Sequence, residues 1–121
     1  MKQIIYTEAA PPAIGPYSQA VLAGNTLYVS GQIALDLAPL NDIPAETRRV
    51  LENIGHILAA ADMDYQNVVK ASIFLKNMDD FSVVNEVYGT FFTEFPPARE
   101  TVQVAKLPRD VNVEISGIAV K

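Results

Sequence analysis

Phe95-Pro96-Pro97-Ala98-Arg99-Glu100-Thr101-Val102-Gln103-Val104-Ala105 is where a helical pattern stops and a strand pattern begins. Two consecutive prolines fix φ and remove two N–H donors, so no helix runs through them. Beyond them the residues alternate, with Thr101 and Gln103 on one face and Val102 and Val104 on the other, the period of a strand. Arg99 therefore lies at the mouth of this strand, behind a stiff turn and on the face of Thr101. A guanidinium presents a fork of donors that fits a carboxylate bidentately and stays charged at physiological pH. Arg99 is on these grounds a candidate carboxylate anchor. For this stretch taken alone, a surface arginine at a strand end is the plainer reading.

Upstream of Phe95, the residues Phe81, Val84, Tyr88, Phe91 and Phe95 recur at helical spacing behind a capping segment, Asn77 to Asp80, and Pro96 ends that helix. Before it, Val68–Leu75 alternates as the strongest strand of the chain. Val69, Ala71, Ile73 and Leu75 point one way; Val68, Lys70, Ser72 and Phe74 point the other. An earlier helix over about 45–61 carries Val50, Leu51, Ile54, Ile57, Leu58 and Ala61 as one apolar stripe. Asp42 or a neighbour caps it, and its first turn tolerates Pro44. Residues 3–6, 18–23 and 26–33 read as strands. A loop with three prolines and one glycine, Pro11–Pro16, separates the first two, and the turn signal Gly24-Asn25 separates the others. In the third strand Leu27, Val29 and Ile33 form the apolar face, and Gly31 marks a bulge or a close backbone approach. The last strand, Val111–Val120, sets Val113, Ile115 and Ala119 against Glu114, Ser116 and Ile118.

The order β-β-β-α-β-α-β-β over 1–121 predicts a single domain of α+β type. Its form is a two-layer sandwich, a mixed sheet with two helices on one face. The other face carries Phe74 and Ile118 among Lys70, Ser72, Glu114 and Ser116. That face is too apolar to stay wet and too polar for an ordinary core, which predicts a closed homo-oligomer.

The chain has 121 residues, 50% hydrophobic and 19% charged, a globular composition. A net charge of −5 and a pI near 4.7 disfavour a nucleic-acid partner, and no basic run offsets them. Without cysteine there is no disulfide, thiolate metal site or Cys nucleophile. No stretch approaches membrane length, and Met1–Tyr6 is too short for a signal peptide, so a cytoplasmic location is expected. No Walker A loop, GxGxxG or zinc spacing is present. The sole histidine, His56, sits at the border of a helix stripe. Asp62, Asp64, Asp79 and Asp80 read as turn and cap residues, so no metal is expected.

Three polar clusters are left over: Ile14-Gly15-Pro16-Tyr17-Ser18-Gln19, Val29-Ser30-Gly31-Gln32-Ile33, and Pro97-Ala98-Arg99 with Glu114 downstream. In this order, together with Thr47–Ile54, Val69–Leu75, Asp79–Tyr88, Val104–Pro108 and Val113–Ala119, they resemble the reactive-intermediate deaminase family, RidA or YjgF. The resemblance runs along essentially the whole chain. It implies a chorismate-mutase-like fold and a homotrimer with sites at the subunit interfaces. The implied activity is that of a 2-iminobutanoate/2-iminopropanoate deaminase. Such an enzyme hydrolyses enamine/imine intermediates, released by pyridoxal-phosphate-dependent dehydratases, to 2-keto acids and ammonia without a cofactor.

By the same resemblance, Arg99 clamps the substrate carboxylate and Glu114 positions the attacking water. Tyr17, Ser30 and Asn85 line the pocket, and Gly31 supplies a backbone donor. Thr101 stands where many members have cysteine; the change is harmless if that position contributes only its backbone N–H, and any role for a thiol is lost. The chain is shorter than those members around Leu37–Asp42 and between Glu94 and Arg99, at the rim of the implied pocket. Two other readings exist on the same fold. One is a non-catalytic protein that binds small carboxylates such as keto acids, which the presence of Arg99 disfavours. The other is a ribonuclease, disfavoured by the acidic balance and the lack of a histidine pair.

Overall fold

In the computed structural model, which describes residues 1–121, six strands form one sheet. They are β1 (Lys2–Ile5), β2 (Ala20–Ala23), β3 (Thr26–Gln32), β4 (Val68–Leu75), β5 (Ala98–Gln103) and β6 (Val113–Val120), in the order β1-β2-β3-β6-β4-β5. Only β4 and β5 run parallel. A parallel pair needs a crossover, and the helix α2 (Phe81–Phe91) supplies it, while α1 (Ile43–Ala60) links β3 to β4. This is the expected α+β sandwich with its mixed sheet. No helix is long and apolar enough to cross a membrane.

Local chemistry sets these elements. The Asp42 carboxylate caps α1 by accepting from the Ala45 N–H at 3.2 Å, with Pro44 in the first turn. The apolar stripe of α1, Val50, Leu51, Ile54, Ile57 and Leu58, is buried against Leu27, Ile73, Val113 and Ile115 of the sheet. Each such side chain contributes about 1.5–3 kcal/mol. The Asn77 side chain accepts from the Asp79 N–H at 2.9 Å and starts the turn that leads into α2.

Three expectations need correction. The helix α2 ends at Phe91, a turn early, and Phe95 is 95% exposed with φ +47°. The Phe91 and Phe92 rings pack edge-on to Tyr65 at 5.4 and 5.6 Å, which closes the aromatic stripe there. A residue preceding proline is also kept from the right-handed helical region. Second, Val68 is buried and Val69 exposed, because Val68 pairs with Ala119 and Lys70 with Ile118, leaving Val69 bulged. Third, β3 bulges between Val29 and Gln32, so Gln32 is buried and Ile33 packs instead on Ala38, Leu107 and Val111. The glycine expected to mark a bulge, Gly31, lies inside it.

The register assigns the faces. Ile5, Ala20, Val29, Gly117, Ala71 and Arg99 form one row across the sheet on the side covered by the helices. Glu114, Phe74 and Val102 form a row on the open side. Tyr28 and Ile118 face each other on the same open side, where Tyr28 is 52% and Val102 41% exposed.

Candidate active site

Arg99 is the second residue of β5 and points under α2. There Phe81, Asn85 and Tyr88, spaced i, i+4 and i+7, present one ridge to it. The guanidinium carbon lies 4.9 Å from the Tyr88 ring centre and 5.8 Å from that of Phe81. Nη1 donates to Asn85 Oδ1 at 2.7 Å. Stacking of this kind contributes about 0.5–2 kcal/mol and fixes the plane of the fork.

No carboxylate of the chain pairs with Arg99. The adjacent Glu100 faces the open side, where Ser72 Oγ donates to it and Lys70 Nζ lies at 3.0 Å. The Ser72 hydrogen bond, followed by Lys70, holds the Glu100 carboxyl below the usual range. The arginine is thus oriented by an amide and two rings while its charge stays unneutralised, as an anion site requires. Burial pushes the Tyr88 phenol up, with the Arg99 charge opposing that shift. Thr101, on the same face, has a buried hydroxyl oxygen with no partner.

The other candidate residues gather around Glu114 in β6, on the open side. A Cβ added to Gly31 would lie 2.0 Å from Glu114 Oε2 and 2.8 Å from its Cδ, so only glycine leaves room for this carboxylate. Glu114 has no cationic partner, and burial pushes its carboxyl above the usual range. Ser30, beside Gly31 in the bulge, donates from Oγ to the Ser18 carbonyl at 2.6 Å and from its N–H to the Gln19 carbonyl at 2.9 Å. These bonds tie the loop that carries Tyr17, itself 54% exposed, to the bulge.

The structure thus brings Arg99, Asn85 and Thr101 together, and separately Ser30, Gly31, Glu114 and the Tyr17 loop. It does not join the two groups within one copy: they occupy opposite faces, with β4 between their strands. Phe81 and Tyr88 were legible in the sequence only as an apolar stripe. Their spacing about Asn85, opposite a strand arginine, is the signal for the aromatic shelf. Asp64 accepts from the Gln66 N–H at 2.9 Å, a capping role.

A family model described as Endoribonuclease L-PSP matches residues 7–121. A RutC family protein of Pyrococcus horikoshii is 50% identical over 125 residues, covering 100% of this chain and 99% of the relative. The 2-iminobutanoate/2-iminopropanoate deaminase of Mus musculus is 47% identical over 125 residues, covering 100% of this chain and 93% of its own. Among solved structures, E. coli TdcF with bound serine superposes with a TM-score of 0.90 at 41% identity, over 98% of each chain.

Proposed function

Because the chain belongs to the Endoribonuclease L-PSP family, also called YjgF/RidA, we propose that it hydrolyses 2-imino acids such as 2-iminobutanoate to 2-keto acids and ammonia. The observation that carries this reading is Arg99, a stacked and hydrogen-bonded guanidinium with no carboxylate of its own. The substrate carboxylate takes that place, which sets the imine carbon at a fixed distance from the protein. Glu114 removes a proton from water as the oxygen bonds to the imine carbon. With the imine nitrogen protonated at the outset, Glu114 returns that proton to the amine nitrogen of the tetrahedral intermediate. It then takes up the hydroxyl proton as the C=O bond forms, the C–N bond breaks and ammonia leaves. A positioned carboxylate base of this kind contributes roughly 10²–10⁴-fold. The deaminase name of the mouse relative and the serine held by TdcF agree with a small amino-acid-derived substrate.

Arg99 and Glu114 act on one substrate only if two copies supply them. In this reading the open side of one protomer, with Glu114, Ser30, Gly31 and Tyr17, meets the β5 edge of the next, with Arg99, Asn85 and Thr101. Repetition of that head-to-tail contact closes as a homotrimer with three sites. The apolar residues Tyr28, Phe74, Val102 and Ile118 on the open side support such a contact.

The test is a coupled assay in which a threonine dehydratase generates 2-iminobutanoate and the release of 2-ketobutyrate is followed with and without this protein. Faster release is expected; release at the uncatalysed rate overturns the deaminase and leaves a carboxylate-binding protein.

Three further outcomes follow from Glu114. It works as a base only when ionised, so kcat/KM falls as pH drops, with a midpoint above the ordinary carboxylate range because burial raises its pKa. That limb disappears in Glu114→Gln. The linkage runs the opposite way for stability. A carboxyl whose folded pKa is raised stabilises fully below its unfolded pKa, and this is lost as pH rises through the folded pKa. Glu114→Gln is therefore expected to raise the melting temperature at neutral pH and to have little effect in acid. Gly31→Ala, whose methyl meets the mobile end of Glu114, is expected to lower kcat about 10²-fold by displacing the base. Its unfolding free energy should stay within about 1 kcal/mol of wild type, as measured by urea titration.

A further inference from the structure

The two rings that face Arg99 differ in setting: Tyr88 is buried at 5% exposure, whereas Phe81 is 37% exposed. The Phe92 ring packs on Tyr88 with centres 4.5 Å apart and 32° between the planes, which holds the Tyr88 ring at one tilt where the guanidinium meets it. The Tyr88 hydroxyl is buried without a hydrogen-bond partner. An unpaired buried hydroxyl weakens a fold, so what the site draws from Tyr88 is its ring face, which attracts a cation.

These contacts also select one edge of the fork. Asn85 occupies Nη1 and no other group of the chain bonds the guanidinium, so Nε and Nη2 are the adjacent pair of donors left unengaged. A carboxylate takes such an edge through two parallel bonds in the plane of the fork. In a 2-imino acid, conjugation favours a common plane for the carboxylate and the C=N bond. A fixed fork therefore fixes the plane of the imine. Water adds to the imine carbon through its π face, perpendicular to that plane, and a misplacement of about 1 Å costs on the order of 10²-fold.

With Arg99 as the carboxylate anchor of the deaminase reading, on which this rests, we propose that Tyr88, assisted by Phe81, is a positioning residue. Acting through Arg99, the two rings set the plane of the bound imine and so the direction of water attack. When a ring is lost, the charge of Arg99 and its bond to Asn85 still hold the carboxylate. The rings thus govern turnover more than affinity. Tyr88, nearer and desolvated, contributes more than Phe81.

The test measures kcat and KM in the coupled 2-iminobutanoate assay for Tyr88→Leu, Tyr88→Phe, Phe81→Leu and Phe81→Tyr. Tyr88→Leu is expected to lower kcat about tenfold or more and Phe81→Leu about threefold, with KM changed less than threefold in both. Tyr88→Phe and Phe81→Tyr, which keep the ring, should stay within about twofold of wild type. Tyr88→Phe should also melt no lower, since it removes an unpaired hydroxyl. Phe81 lies at the surface, so Phe81→Leu decides the matter if Tyr88→Leu does not fold. The proposal alone is overturned if wild type turns over and the leucine variants match its kcat, if only KM rises, or if Tyr88→Phe loses as much as Tyr88→Leu. A wild type without turnover overturns the deaminase reading and this role of Tyr88 with it, before any variant is compared.

Discussion

Arg99→Ala is expected to release 2-ketobutyrate at the uncatalysed rate in the coupled assay, a loss of about 10³-fold or more. The charge-assisted fork contributes about 1.5–3 kcal/mol to holding the carboxylate. Misplacing the imine relative to Glu114 costs roughly a further 10²-fold. The fold should survive, because Arg99 is only half-buried and its loss removes one hydrogen bond and two ring contacts, about 1 kcal/mol. Arg99→Lys should recover little. An ammonium keeps the charge but neither spans a carboxylate with two donors nor stacks flat on Tyr88 while bonding Asn85.

The same variant tests where the site lies. Arg99→Ala and Glu114→Gln are each expected to keep only a small residue of activity, but when they are unfolded and reassembled together, some interfaces join an intact Arg99 to an intact Glu114. Random assembly of a head-to-tail ring places such a pair at about a quarter of the sites, so about a quarter of wild-type activity should return. If one chain supplied both residues, mixing would restore nothing. The opposite faces of Arg99 and Glu114 predict restoration.

The order of the elements was legible in the sequence because alternation, helical spacing and the paired prolines agree, and packing did not override them. Faces were harder to read. In β5 the apolar residue Val102 points to the open side and the polar pair Arg99 and Thr101 points under the helix. Single-strand alternation suggests the reverse, and it misleads because the open side is itself apolar. The parallel register with β4 settles the matter, and register pairs residues 28 apart in sequence, beyond any local pattern (Ala98 opposite Lys70, for instance). The bulge at Gly31 had a local sign, a glycine inside a strand. The bulge at Val69 had none, since valine suits either side of a strand. Arg99 and Glu114 could be singled out from motif resemblance, but their separation within one copy appears only once the sheet is assembled.

Glu46 illustrates what no motif marks, and its replacement is expected to have the largest effect on stability. It looks like an ordinary first-turn acid of α1, which the helix dipole favours there. In the fold it is fully buried and accepts from the Asn112 N–H at 2.9 Å, Asn112 Nδ2 at 2.7 Å and the Val113 N–H at 3.3 Å. Asn112 Nδ2 also donates to the Ala38 carbonyl at 3.1 Å, so the start of β6 is fastened both to α1 and to the turn before it. Glu46→Leu fills the space but strands these donors in a dry interior, a loss of about 3–5 kcal/mol. Glu46→Gln keeps one acceptor and turns an NH₂ group toward other donors, so about half that loss is expected. Urea midpoints at fixed protein concentration should therefore rank wild type, Gln, Leu, the concentration being held because the proposed subunit association would add to stability. The network ends one residue before Glu114. Wherever the Gln variant remains folded, kcat should fall more than KM rises, since the base loses its alignment while the Arg99 anchor on β5 is untouched. Equal midpoints for all three proteins would show that water, rather than Glu46, satisfies the start of β6.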